Sequence, residues 1–169
     1  MTAYQNVQQF TKMLKNLDSW IETAVAHATK KGFDPEVFAA SRLAPDQYPL
    51  VKQVQSACDS AKFAAAYLSG QKAPAHPDTE TTIAQLRERI ASCLRFIERV
   101  PADDYTGADD RKVSPPWLQG KWMKGSDYLT QTATPNFYFH VTTAYAILRH
   151  NGVDLGKMAY IGSLPLQDA

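Results

Sequence analysis

Apolar residues recur at alternating steps of three and four over Val7, Phe10, Leu14, Leu17, Ile21, Val25 and Ala28, a spacing that lines them along one side of an α-helix. Thr2 with Gln5 makes a capping box at the start, and Lys30, Lys31 and Gly32 supply a cationic last turn and a glycine stop. The pattern predicts a first helix from about Ala3 to Lys31. Residues 32–48, with Pro35 and Pro45, read as an ordered connection with a short turn over Glu36 to Ser41. Pro49 is a suitable first residue for a second helix, whose stripe is Leu50, Val54, Ala57, Ala61, Ala65 and Leu68 and whose end is Ser69-Gly70. The small alanines allow close approach of a neighbour or leave room for a pocket.

A turn-rich linker over Gln71 to Pro77 precedes Asp78 or Thr79, either of which suits the cap of a third helix carrying Ile83, Leu86, Ile90, Leu94, Ile97 and Val100, stopped by Pro101. The periodicity then breaks from Asp103 to Thr134. Prolines, glycines, Trp117, Trp122 and a threonine-rich run predict a small β-hairpin or irregular insertion packed on the helices. Thr134-Pro135 reads as the N-cap and first position of a fourth helix ending near His150. Phe137, Val141, Ala144 and Leu148 face one way, while Phe139, Tyr145 and Ile147 make it apolar nearly all round and place it deepest. Asp154 to Ala169 reads as an extended tail. The expected architecture is a single all-α domain over residues 1–169, a four-helix bundle.

Composition narrows the function classes. Eighteen Lys and Arg stand against 17 Asp and Glu, which leaves no global field toward phosphates or an anionic membrane, so nucleic acid is not an expected partner. No apolar run approaches the roughly 18 residues of a membrane span. A basic leader followed by an apolar run is not evident either. The two cysteines, Cys58 and Cys93, lie on apolar stripes outside any C-x-x-C pair and read as reduced core residues, consistent with a cytoplasmic location.

The segment Pro135-Asn136-Phe137-Tyr138-Phe139-His140, continuing through Thr143-Ala144-Tyr145, Leu148-Arg149, Gly152-Val153 and Leu155-Gly156-Lys157, is the most distinctive in the chain. With Ala44-Pro45-Asp46 and the Gln53 to Asp59 segment, it resembles a bacterial domain-of-unknown-function family of the DinB/YfiT-like superfamily. The resemblance implies a four-helix bundle of up-down-down-up order, which would account for a long crossover before the last helix. It also implies a divalent-metal site, zinc or nickel, made by a histidine on helix two and an H-x-x-x-H pair on helix four. Some members of the superfamily are thiol transferases, and others hydrolyse or isomerise small thiol-linked substrates.

Here the pattern departs from the superfamily. Aligned on Leu148-Arg149 and Gly152, His140 takes the second place of the pair and Asn136 the first. On helix two, Gln53 is the polar residue nearest the inward alanine stripe, with Asp59 the alternative ligand. One imidazole and two amides make a poor transition-metal site. No cofactor is therefore expected, and His140 is expected to be a buried histidine hydrogen-bonded to Asn136 or Gln53.

The candidate pocket comprises Gln53, Asn136, His140 and Tyr145, with Trp117 and Trp122 from the insertion. The leading expectation is a metal-free, homodimeric module with a vestigial polar site that binds a small molecule or a partner. Its alternative is a metal-dependent enzyme, thiol transferase or hydrolase-like, using His140 with Asp59. His27, His76 and His150 have no companion at ligand spacing, and no phosphate loop, nucleophile elbow or paired catalytic carboxylates occur.

Overall fold

The computed structural model describes residues 1–167. Helix α1 spans Ala3–Lys31, with Thr2 and Gln5 exchanging side-chain and backbone bonds at its start and Gly32 closing it at φ 76°. A 3₁₀ turn, Pro35–Phe38, leads to α2 at Leu50–Ser69 and then α3 at Ile83–Arg99. Two-residue strands β1, Lys112–Val113, and β2, Met123–Lys124, pair antiparallel in the insertion. A fourth helix, α4, is assembled from Gly125–Tyr128, a π-helical turn Leu129–Ala133, and Thr134–His150. A short helix α5, Lys157–Ile161, follows.

The apolar stripes meet in one core. Val7, Phe10, Leu14, Leu17, Leu50, Val54, Ala57, Ala61, Ala65, Leu86, Phe137, Val141, Ala144 and Leu148 are all sealed from solvent. Burying a side chain of Val, Leu or Phe size stabilises by about 1.5–3 kcal/mol before entropy is charged against it. Trp20 joins them at the far end, stacked on Tyr160 at 5.4 Å and donating its indole N–H to Ala159 O, which fastens α5 onto α1.

Side-chain registers give the helix directions. Phe10 meets Phe137 and Trp20 meets Tyr145, so α1 and α4 run parallel. Gln53 meets His140, Ser60 meets Asn136 and Tyr67 meets Tyr128, so α2 and α4 are antiparallel. Lys15 pairs with Glu98 and Asp18 with Arg87, which makes α1 and α3 antiparallel. Lys52–Asp78, Gln55–Glu80 and Asp59–Arg89 advance together, making α2 and α3 parallel. The bundle is up-down-down-up.

This order corrects the expected place of the crossover. Two successive parallel helices require the chain to travel back along the bundle, and α2, with 20 residues, is about 30 Å long. Residues 70–82 make that return, whereas the Trp-bearing insertion caps one end.

Four further expectations change. Pro49 is the N-cap of α2 rather than its first helical residue. Thr82, not Asp78 or Thr79, caps α3, in a reciprocal box with Gln85, because Asp78 and Glu80 are drawn to Lys52 and Arg89. The threonine-rich run is helical, and Thr134-Pro135 lies inside α4 rather than at its start. Proline lacks an N–H and its ring crowds the carbonyl four residues back. The π turn absorbs both effects, with the Thr134 N–H reaching back to Leu129 O. The tail is not simply extended, since it contains α5; Asp168 and Ala169 lie outside the described residues.

Candidate functional site

The faces of α2 and α4 that meet beside the core are polar. Gln53, Ser56, Ser60 and Phe63 follow one another along α2 at helical spacing, and Thr132, Asn136 and His140 do so along α4. Two adjoining clefts open there and share Asn136 and His140. One, of about 300 Å³, is lined by Ser56, Asp59, Ser60, Phe63, Trp117, Tyr128, Thr132 and Ala133 as well. The other, of about 330 Å³, adds Asp46, Gln47, Tyr48, Gln53 and Phe139. The π turn lies against the first cleft, and its wide ring brings neighbouring Thr132 and Ala133 onto the same wall. Such turns recur at functional sites.

Hydrogen bonding fixes the state of the histidine. Gln53 is sealed from solvent, and its Nε2 donates to Tyr48 O at 3.0 Å. That carbonyl only accepts, so Gln53 Oε1 is the atom facing His140 Nδ1 at 2.8 Å, and Nδ1 must carry the proton. Nε2 then keeps its lone pair and has no hydrogen bond among the described residues. Burial holds the His140 pKa below its ordinary value, which keeps the ring neutral. Asn136 Nδ2 donates to Ser60 Oγ at 2.7 Å. Burial likewise pushes the Tyr128 phenol well above its ordinary value, so it is a neutral donor.

The carboxylate on this wall is already neutralised. Asp59 Oδ1 accepts from Lys62 Nζ and from Arg89 Nη2, each at 2.7 Å. Arg89, 2% exposed, also binds Glu80 and Asp78. The ligands of a superfamily metal site therefore do not fit here. One imidazole lone pair faces amides and hydroxyls, Gln53 is spent on orienting that imidazole, and Asp59 belongs to two cations. No group of three His, Cys, Asp or Glu side chains has metal-binding geometry among the described residues.

The sequence-derived candidates divide accordingly. Gln53, Asn136, His140 and Trp117 come together at the clefts, with Asp59 at the margin. Tyr145 sits elsewhere, edge-on to Trp20 and Tyr160 with its hydroxyl on Leu155 O. Trp122 lies under Lys112 on the hairpin. Helix α4 is not apolar on every side at the core: Phe139 is 55% exposed and flanks the His140 ring. Ser56, Ser60 and Phe63 were missed, although with Gln53 they form a second stripe beside the alanines, and Thr132 was hidden by the misplaced helix start.

Comparison with known proteins agrees with this architecture. The family model described as "Domain of unknown function (DUF1993)" matches residues 4–161. The chain is similar to the crystal structure of a DinB family member protein from Shewanella denitrificans, with 48% identity, a TM-score of 0.93, and coverage of 98% of this chain and 95% of that one. No curated protein matches. No helix is long and apolar enough to cross a membrane among the described residues.

Proposed function

The chain belongs to the DUF1993 family of DinB-like bundles, and from that premise we propose that it binds a small uncharged molecule at the His140 clefts without a metal. The observation that carries this reading is the tautomer imposed by Gln53 and Tyr48. It leaves one unshared imidazole lone pair, at Nε2, on a residue that lines both clefts. A hydroxyl or amide N–H of the ligand would donate to it, while the Asn136, Ser60 and Tyr128 dipoles meet the ligand's other polar atoms. Phe63 and the half-exposed Trp117 offer apolar surface for a flat group. An ionic ligand is disfavoured because Asp59 is neutralised internally and, among the described residues, neither cleft is lined by a lysine or arginine.

The test uses tag-free protein in two arms. Elemental analysis is expected to find zinc and nickel far below one equivalent. Titration with phenol and with benzamide, followed by the ¹⁵N resonance of His140 Nε2, is expected to show a saturable shift that His140→Leu abolishes. Stoichiometric metal released by His140→Ala, or the lack of any saturable shift with either probe, would overturn the reading.

A further inference from the structure

Away from the His140 clefts, the interface of the parallel helices α2 and α3 holds both cysteines of the chain. Cys58 and Cys93 are each fully buried and are neighbours that perturb each other's titration across this interface. The crossover, residues 70–82, lays His76 against this pair. Cys93 Sγ is 3.7 Å from His76 Nδ1, Lys62 Nζ is 3.4 Å from the same nitrogen, and His76 Nε2 is 2.9 Å from Ser92 Oγ.

An ammonium only donates, so the lone pair is at Nδ1 and the proton at Nε2, facing Ser92. The Cys93 thiol therefore abuts an imidazole base. Lys62 and Arg89 add two positive charges to its surroundings, partly offset by Asp59 and Glu80. The neighbouring Cys58 thiol and these cations draw the Cys93 pKa down, whereas Cys93 and full burial push Cys58 up. The two thiols are thus inequivalent: Cys93 abuts the His76 base, and burial disfavours the Cys58 thiolate beside it.

The cover over this pair is a weakly built element. Residues 71–82 include Pro74 and Pro77 and form no helix or strand. Side chains hold the segment down: His76 itself, Asp78 on Lys52 and Arg89, and Glu80 on Gln55 and Arg89. Segments without backbone ladders open at lower cost than the helices beneath them.

We propose that Cys58 and Cys93 are a redox pair, closed by a small hydroperoxide to a disulfide bridging α2 and α3, with Cys93 the sulfur that reacts first. His76 Nδ1 takes the Cys93 proton. The thiolate attacks the outer oxygen of the peroxide, an S–O bond forms, the O–O bond breaks, and the departing alkoxide is protonated to an alcohol. The Cys58 sulfur then attacks Cys93, an S–S bond forms, and the hydroxide lost from the sulfenic acid leaves as water with the Cys58 proton. The two sulfurs together give up two electrons, and the peroxide is reduced. Burial of both thiols selects a small oxidant over a bulky disulfide.

The test takes the full chain, reduced and desalted, and adds hydrogen peroxide at neutral pH. Intact mass is expected to fall by two hydrogens, with both thiols lost to alkylation, peptide mapping joining Cys58 to Cys93 within one chain, and dithiothreitol restoring both. In Cys58→Ser, dimedone is expected to label Cys93; in Cys93→Ser, Cys58 is expected to stay unlabelled. Circular dichroism checks that each variant is folded, and the wild-type measurement stands without them. The proposal is overturned if both thiols survive in the folded chain under conditions that oxidise the urea-unfolded chain, if the bridge joins two chains, or if Cys58 in Cys93→Ser is labelled as readily as Cys93 in Cys58→Ser.

Discussion

Gln53 Oε1 accepts from His140 Nδ1 at 2.8 Å while the same amide donates to Tyr48 O, so one buried glutamine orients the histidine and ties it to the loop preceding α2. Gln53→Leu leaves the Nδ1–H and the Tyr48 carbonyl without their partner, and a buried group so orphaned costs about 1–3 kcal/mol. A loss of that size is expected in urea unfolding. Gln53→Glu should act differently: a carboxylate beside Nδ1 favours the imidazolium, so NMR titration is expected to move the His140 pKa upward. An unchanged pKa would refute the orienting role.

Burial holds His140 below its ordinary pKa, and His76 is held below its own by burial and by the charges of Lys62 and Arg89. A group with a depressed folded pKa binds more protons when the chain is unfolded. Its contribution to stability is complete above the unfolded value, 6.5 for histidine, and is lost as pH falls through the folded value. Stability measured by urea unfolding is therefore expected to decline from about pH 6.5 downward. His140→Gln should shallow that decline without flattening it, because His76 keeps its share. A slope identical to wild type would show that the ring is not desolvated.

Arg89 is the hub that holds α2, α3 and the crossover together, bound to Asp59, Glu80 and Asp78 while only 2% exposed. Removing one member of a buried ionic network leaves the others uncompensated, at a cost of about 3–5 kcal/mol. Arg89→Met is expected to lose about that much in denaturant unfolding. The exposed Lys15–Glu98 pair sets the contrast, since breaking such a pair costs about 0–1 kcal/mol. Equal effects of Arg89→Met and Lys15→Met would show that the network contributes little.

The long stripes made the bundle legible from sequence, because burying them leaves few arrangements. Thr2 with Gln5, and Gly32, marked the ends of α1 correctly because those caps depend on the residues beside them. The start of α3 was misread because it is decided across space: Asp78 has a suitable capping side chain but is taken by Lys52 and Arg89. At Pro135 the usual meaning of Thr-Pro, a helix start, was outweighed by a π turn that no local pattern announces. The same distance in sequence hid the site. Ser60 and Asn136 are 76 residues apart, and Gln53 and His140 are 87 apart, so Ser60 went unnamed and the partner of His140 stayed open between Asn136 and Gln53. His76 looked idle in its linker because the return path of residues 70–82 places it on Cys93.

The start of α4 offers a last prediction, since it determines how the π turn and Tyr128 are presented to the cleft. Gly125 has a negative-φ helical backbone, so its need is for space rather than for an unusual conformation. A Cβ built there would overlap the Ala108 carbonyl oxygen and press on Leu68. Ala108 is buried backbone following the αL residue Gly107, and it does not yield as a flexible side chain would. Gly125→Ala forces the first turn of α4 away from the insertion, and overpacking of this kind costs about 1–3 kcal/mol. Asp127→Ala, exposed two residues later, should leave the melting curve unmoved. The displacement should also reach Tyr128, whose ring packs edge-on against Tyr67 at 5.6 Å. Its aromatic NMR resonances are expected to shift in Gly125→Ala and to hold in Asp127→Ala. A Gly125→Ala protein with wild-type melting and an unmoved Tyr128 would mean that the insertion is free to slide, and that the wall of the cleft is set from the α4 side alone.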